Sequence, residues 1–231
     1  MQRLDKILSE AGVASRKELK LIIKAGRVSV DGRIVRAPEE KVEDAAVIWM
    51  DGQPVEKRRR IVLMLHKPAG YVTSVEDPRD PTVMELLPEV YRKKELFPVG
   101  RLDKDTEGLL LLTNDGELAH RMISPRCCVE KVYEAEHEGE ASEEDVSAFA
   151  EGLVLRDGTR CRPAVLKPLG PGKSRITLQE GKYHQVRRMM ASRGLHVNYL
   201  KRVSEGQLHL DALACGACRE LSEDELSALP V

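Results

Sequence analysis

The stretch FPVGRLDKDTEGLLLLTNDG, residues 97–116, decides the reading of this chain. Leu109 to Leu112 form an unbroken apolar run that ends at the turn signal Asn114-Asp115-Gly116, so the run reads as a buried strand. Directly before it stand Arg101, Asp103, Lys104, Asp105 and Glu107. Charge at the mouth of a core element is costly unless it is paired or used. The loop therefore marks either a set of local caps and ion pairs or a working site held on a rigid scaffold.

The elements around this strand set the fold class. IVLMLHKPAGYVTS (61–74) reads as a buried strand followed by a Pro/Gly turn, and PTVMELLP (81–88) as a short helix. GELAHRMISP (116–125) is a helix stopped by Pro125, KVYEAEHEG (131–139) alternates like a strand, and SEEDVSAFAEGL (142–153) is a capped helix. RPAVLKPLG, SRITLQEG, HVNYLKRV and GQLHLDAL read as strands, with the helix YHQVRRMMASRG (183–194) among them. Strands and helices alternate without a regular parallel crossover period. An α+β fold with a mixed, largely antiparallel sheet is expected.

The first fifty residues form a different pattern. Leu4, Ile7 and Leu8 mark one face of a short helix. Ser15-Arg16-Lys17-Glu18 is a capping box opening a second helix, stopped by Gly26. Val28 and Val30 lead through Asp31-Gly32 to Ile34-Val35, a tight hairpin signal. PVEKRRR (54–60) is polar and basic. The expected division is a small domain at 1–56, a linker at 57–60 and a larger domain at 61–231.

Net charge is −1, which by itself argues weakly for a nucleic-acid partner. Its distribution argues otherwise. Residues 1–36 hold nine Lys/Arg against four Asp/Glu, and residues 182–204 hold Lys182, Arg187, Arg188, Arg193, Lys201 and Arg202 with no acid. Arg16, Lys20 and Lys24 recur every four residues, Lys17 lies beside them and Arg27 follows. That basic helix face is suited to phosphate contact, or else is an ordinary solvated face. No apolar run approaches a membrane span, residues 1–15 do not form a signal peptide, and a cytoplasmic location is expected. Five cysteines, with one C-x-x-C at Cys215 and Cys218 lacking a matching pair, read as small buried thiols rather than a metal site.

Residues 2–48 resemble the S4 RNA-binding domain. PVGRLDKDTEGLLLLTNDGELAHRMISP (98–125) resembles the catalytic motif of the RsuA-type pseudouridine synthases. HKPAGYVTS, KVYEAE and EGKYHQVRRM match the family's other motifs in order and at plausible spacing. The resemblance implies isomerisation of a uridine: the C1′–N1 bond breaks, the uracil turns in place, and it rejoins through C5. It implies that Asp103 is the essential aspartate, acting at C1′, at uracil C6, or by promoting elimination. Tyr133 matches the active-site tyrosine, and Arg187 the basic residue that pairs with the catalytic aspartate. Arg101 is implied to face RNA, where it fills the gap left by a flipped-out uridine; its bland reading is a salt bridge with Asp105 or Glu107. Lys182 and Arg188 are further RNA-contact candidates, and His184 reads as structural.

The implied chemistry involves no redox change and transfers no group in, so neither metal nor organic cofactor is expected. Ribosomal RNA or a ribosomal-subunit assembly intermediate is the expected partner, bound by a monomer with no membrane contact. The lack of a basic C-terminal tail favours 16S over 23S RNA. Two other classes compete: a catalytically idle S4-type RNA binder, and a glycosidase built on Asp103 and Asp105.

Overall fold

The computed structural model describes residues 1–43, 45–56 and 59–229. The expected linker lies partly outside them, at residues 57 and 58. The chain divides into two compact units, Met1–Arg59 and Arg60–Val231.

The first unit contains β1 (Gln2–Arg3), α1 (Leu4–Glu10), α2 (Arg16–Lys24), β2 (Val28–Val30), β3 (Arg33–Val35), β4 (Lys41–Val42), β5 (Ile48–Met50) and β6 (Gln53–Pro54). The capping box forms as the sequence implies. Glu18 N–H donates to Ser15 Oγ, and Ser15 N–H donates to Glu18 Oε2 at 2.9 Å. Asp31 and Gly32 both take positive φ, the geometry a two-residue hairpin needs, and β2 pairs with β3 across them. Leu4, Leu8, Leu19, Ile23, Val28, Val35 and Ile48 close a core of their own.

The second unit contains β7 (Val62–Lys67), a single 3-10 turn (Val83–Leu86), α3 (Glu89–Arg92), β8 (Phe97–Val99), β9 (Glu107–Thr113), α4 (Gly116–Ile123), β10 (Lys131–His137), α5 (Glu143–Glu151), β11 (Val165–Gly170), β12 (Lys173–Leu178), α6 (Gln185–Ser192), β13 (Val197–Glu205), β14 (Leu208–His209), β15 (Cys218–Glu220) and α7 (Glu223–Ser227). Its sheet runs β11-β12-β10-β13-β9-β7-β15, with β14 beside β13 and β8 beside β9. Of the strand pairs in this sheet among the described residues, β13–β9 is parallel and the others are antiparallel.

The leucine run is continuous because the sheet is covered on both sides. Leu110 and Leu112 face a core shared with Phe149 of α5 and with Val186, Met189 and Met190 of α6. Leu109 and Leu111 face a second core with Leu118 and Met122 of α4 and with Leu208 and Leu221. Each fully buried leucine contributes roughly 1.5–3 kcal/mol. One glycine is indispensable to this arrangement. Gly108 has φ +110°, and a Cβ there would lie 2.1 Å from the Arg202 carbonyl oxygen. Only glycine lets β13 approach β9 at that point.

The thiols depart from expectation. Cys161 is buried, but Cys127, Cys128 and Cys215 are exposed and Cys218 is half-buried. The C-x-x-C pair is split: Cys218 sits on β15 opposite Leu65 and packs on the α5–α6 core, while Cys215 lies in the preceding turn.

Candidate active site

Asp103 stands on the loop between β8 and β9, and that loop is pinned from several sides. Thr73 Oγ donates to the Leu102 carbonyl at 2.7 Å and accepts from the Leu102 N–H at 3.2 Å. Gly70 N–H donates to the Lys104 carbonyl, and Thr106 N–H to the Asp103 carbonyl. Lys67, the last residue of β7, is fully buried beneath the loop. Its ammonium donates to the carbonyls of Pro68, Lys104 and Thr106 at 2.9, 3.1 and 2.8 Å. Burial pushes the Lys67 pKa down to about 8, opposed by the negative charges of Asp105, Glu107 and Asp103. The charge before the leucine run thus surrounds a buried cation that ties loop backbone to strand.

Asp103 opens onto a cavity of about 800 Å³ that is also lined by Tyr133, Arg202, Arg101 and His184. Tyr133 lies on β10 directly opposite Arg202 on β13. The Arg202 guanidinium is buried and donates from Nε to the Leu109 carbonyl at 2.7 Å. Its Nη2 lies 3.3 Å from Glu205 Oε2, and Lys131 Nζ lies 3.6 Å from Glu205 Oε1. Burial pushes the Tyr133 phenol up, so it stays protonated at neutral pH, while the nearby Arg202 charge pulls the other way.

Two expectations about this site are corrected. Arg187 does not pair with Asp103. Its Nη2 lies 2.9 Å from Asp105 Oδ2, and its Nη1 donates to the Val197 carbonyl. The side chain facing Asp103 is the imidazole of His184, Nε2 to Oδ1 3.4 Å. The reason is local backbone. His184 precedes α6 in the left-handed conformation, φ 45°, which turns its ring to the cavity, whereas Arg187 sits within the helix toward β13. His184 is therefore a site residue and not only a structural one. Its ring stacks on that of Tyr183, centroids 3.9 Å apart, and Tyr183 is 73% exposed.

Arg202 is the site residue that sequence reading missed. The available signal was its strand position. It lies two residues after Leu200 on the same face, so an arginine occupies an inward position of a strand.

The basic candidates separate into two groups. Arg16, Lys17, Lys20 and Lys24 are exposed on α2 and make no side-chain hydrogen bond or ion pair among the described residues. Arg101 is exposed at the cavity rim and likewise lacks a described partner; Asp105 and Glu107 are taken by Arg187 and Tyr199. Arg27, Lys182 and Arg188 are not free charges. Arg27 Nε donates to Asp51 at 2.7 Å, Lys182 Nζ pairs with Glu180 at 2.6 Å, and Arg188 Nη2 with Asp157 at 2.5 Å.

Comparison with known proteins bears on this geometry. The family model described as RNA pseudouridylate synthase matches residues 61–192, and the S4 domain model matches residues 2–48. The uncharacterized RNA pseudouridine synthase YtzG of Bacillus subtilis (strain 168) is 46% identical, over 98% of this chain and 98% of its own. Ribosomal small subunit pseudouridine synthase A of Escherichia coli (strain K12) is 40% identical, over 98% of this chain and 99% of its own. A crystal structure of a pseudouridylate synthase matches with TM-score 0.71 at 33% identity, covering all of both chains. The cavity that gathers Asp103, Tyr133 and Arg202 is built largely from the matched segment, and the chain belongs to the RNA pseudouridine synthase family, isomerases of uridine in RNA, with an S4 domain at its N-terminal end.

Proposed function

We propose that the chain converts a specific uridine of 16S ribosomal RNA to pseudouridine, with Asp103 as the reacting carboxylate. One observation carries the site: Asp103 opens on a cavity shared with a buried tyrosine that stands opposite a buried arginine on the next strand, on a loop whose carbonyls are tied to Lys67. The small-subunit target rests on the 40% identical relative whose name carries it.

Asp103 acts either by attack at C1′, by attack at uracil C6, or by promoting elimination at the sugar. In each route the glycosidic electron pair leaves with the uracil, the base turns, and C5 bonds to C1′ before losing its proton. The balance requires no oxidant and no second substrate. Tyr133 packs against the base, and its hydroxyl, near the Arg202 charge, assists removal of the C5 proton. Arg187 acts through Asp105 to hold the loop, so its part is positioning. Residues 61–231 form the catalytic domain, and residues 1–56, joined through 57–60, dock RNA. Arg101 fills the stack where the uridine leaves, and Arg16, Lys17, Lys20 and Lys24 contact phosphates. Arg27, Lys182 and Arg188 reach RNA only by exchanging their carboxylate partners. The working form is a cytoplasmic monomer acting on ribosomal RNA or an assembling subunit.

The test uses uridine-labelled 16S and 23S RNA with wild type and Asp103→Asn. Isomerisation is expected in 16S RNA with wild type only, with RNA binding retained by the variant. A variant holding a tenth of wild-type activity rejects the role of Asp103. A product confined to 23S RNA moves the target.

A further inference from the structure

On the sheet face opposite the α5–α6 core, a second cluster of chemistry-bearing side chains remains unexplained by the isomerase site. His66 follows Val62 and Met64 along β7, and Glu107 precedes Leu109 and Leu111 along β9, so both continue the α4 core at its end. The turn before β15 brings Cys215 to them. Donor atoms of His66, Glu107 and Cys215 all lie within 4.8 Å of one another.

The cluster has the marks of a prepared site. His66 is 6% exposed, and its Nδ1 lies 2.7 Å from the Leu213 carbonyl. A carbonyl only accepts, so Nδ1 carries a proton, and Nε2 is the nitrogen left to present a lone pair to an ion. That Nε2 is buried and has no hydrogen-bond partner. Glu107 is fixed in turn, its Oε2 accepting from the Tyr199 hydroxyl at 2.8 Å. The turn bearing Cys215 is tied to the backbone of His66 in both directions. His66 N–H donates to the Ala217 carbonyl, and Gly216 N–H to the His66 carbonyl. An imidazole oriented by a carbonyl and a carboxylate oriented by a hydroxyl are the outer supports that metal ligands commonly receive.

Charge strengthens the case. A carboxylate and a thiol face one imidazole lone pair, and no ion pair of Glu107 occurs among the described residues. Lys67 is close enough for both Glu107 and Cys215 to act on its charge, yet its three N–H bonds go to the carbonyls of Pro68, Lys104 and Thr106. A second cation is what the cluster lacks. A Cys–His nucleophile is disfavoured, because a neighbouring carboxylate opposes the thiolate.

We infer that His66, Glu107 and Cys215 bind a divalent transition-metal ion of the zinc type, three protein ligands leaving one position open. One nitrogen, one oxygen and one sulfur donor suit zinc and fit magnesium or calcium poorly. Ligation at about 2.0–2.3 Å needs donors roughly 3.3–3.8 Å apart in a tetrahedron. Rotation of the exposed Cys215 side chain closes that gap, and the same exposure gives the ion its route in. Cys218 takes no part, because it points to the other face. None of the three residues lines the Asp103 cavity, and the ion supplies no step of the isomerisation.

The experiment loads the metal-free full-length protein with Co²⁺ and with Zn²⁺. Expected are one equivalent bound, a thiolate-to-cobalt charge-transfer absorption, and its displacement by Zn²⁺. Cys215→Ser abolishes that absorption and weakens Zn²⁺ binding by about tenfold or more, and Glu107→Gln weakens binding comparably. Cys127→Ser and Cys218→Ser retain both signals. Circular dichroism establishes that each variant is folded. Wild type without the absorption, or Cys215→Ser binding Zn²⁺ like wild type, overturns the site. Loss on Cys218→Ser with Cys215→Ser unaffected also overturns it.

Discussion

Replacing Lys67 with methionine probes the link between the buried strand and the loop that carries Asp103. Methionine keeps an unbranched apolar stem, one heavy atom shorter than lysine, and removes the three donors. Not all three acceptors are then orphaned, because the Lys104 carbonyl keeps its bond from Gly70. The carbonyl of Thr106, a residue with 1% exposure, loses its ammonium donor, and that of half-buried Pro68 turns toward water. One newly unsatisfied buried acceptor costs about 1–3 kcal/mol. Part of this is offset, because a buried ammonium no longer has to be desolvated. The expected net loss is about 1–2 kcal/mol, or roughly 2–8 °C in Tm for a unit of this size. The kinetic effect should be larger. A displacement of about 1 Å in a reacting group costs on the order of 10²-fold in rate. The expected result is kcat reduced about a hundredfold, with RNA affinity nearly unchanged because phosphate contacts supply most of it. Thermal unfolding and single-turnover isomerisation measure the two effects. A variant with wild-type kcat would show that the Lys67 bonds do not hold the loop, whatever the stability change.

Three further outcomes follow from the same structure. Gly108→Ala places a methyl 2.1 Å from the Arg202 carbonyl oxygen, so β13 must separate from β9; a loss of at least about 3 kcal/mol is expected by chemical denaturation, and a loss under 1 kcal/mol rejects the close approach. Arg16→Ala/Lys20→Ala/Lys24→Ala should flatten the dependence of log affinity on log salt by about 2–3, since each lost phosphate contact removes about 0.7–0.9; an unchanged slope removes α2 from the RNA surface. Glu225 is held at about pKa 2, chiefly by its paired hydrogen bonds from Arg219. A depressed carboxylate stabilises the fold above its unfolded pKa, near 4.3, and loses that contribution as pH falls toward 2. With Arg219 38% exposed, solvent screening leaves about 1 kcal/mol of it. Glu225→Gln should therefore be less stable than wild type at pH 7, with the gap narrowing below pH 4.5; a gap independent of pH contradicts the pairing.

Local pattern determined much of this protein in advance. The capping box at Ser15 and Glu18, the hairpin at Asp31-Gly32 and the buried strand at Leu109–Leu112 depend on neighbours a few residues away, and each forms where the sequence places it. The ordered motifs likewise pointed to the family and to the loop bearing Asp103. Tertiary structure decided what those charges touch. Arg187 reaches Asp105 and His184 reaches Asp103 because α6 begins from a left-handed residue. Arg202 comes opposite Tyr133 because β10 lies beside β13 with a register shift between Val132 and Tyr133. Lys67 finds the carbonyls of Lys104 and Thr106, and His66, Glu107 and Cys215 find one another, across separations of 37 residues or more in the chain. Side-chain partners at such separations are fixed by strand order and by which face each residue takes. Periodicity reports only that a residue points inward; the sheet decides what it meets there.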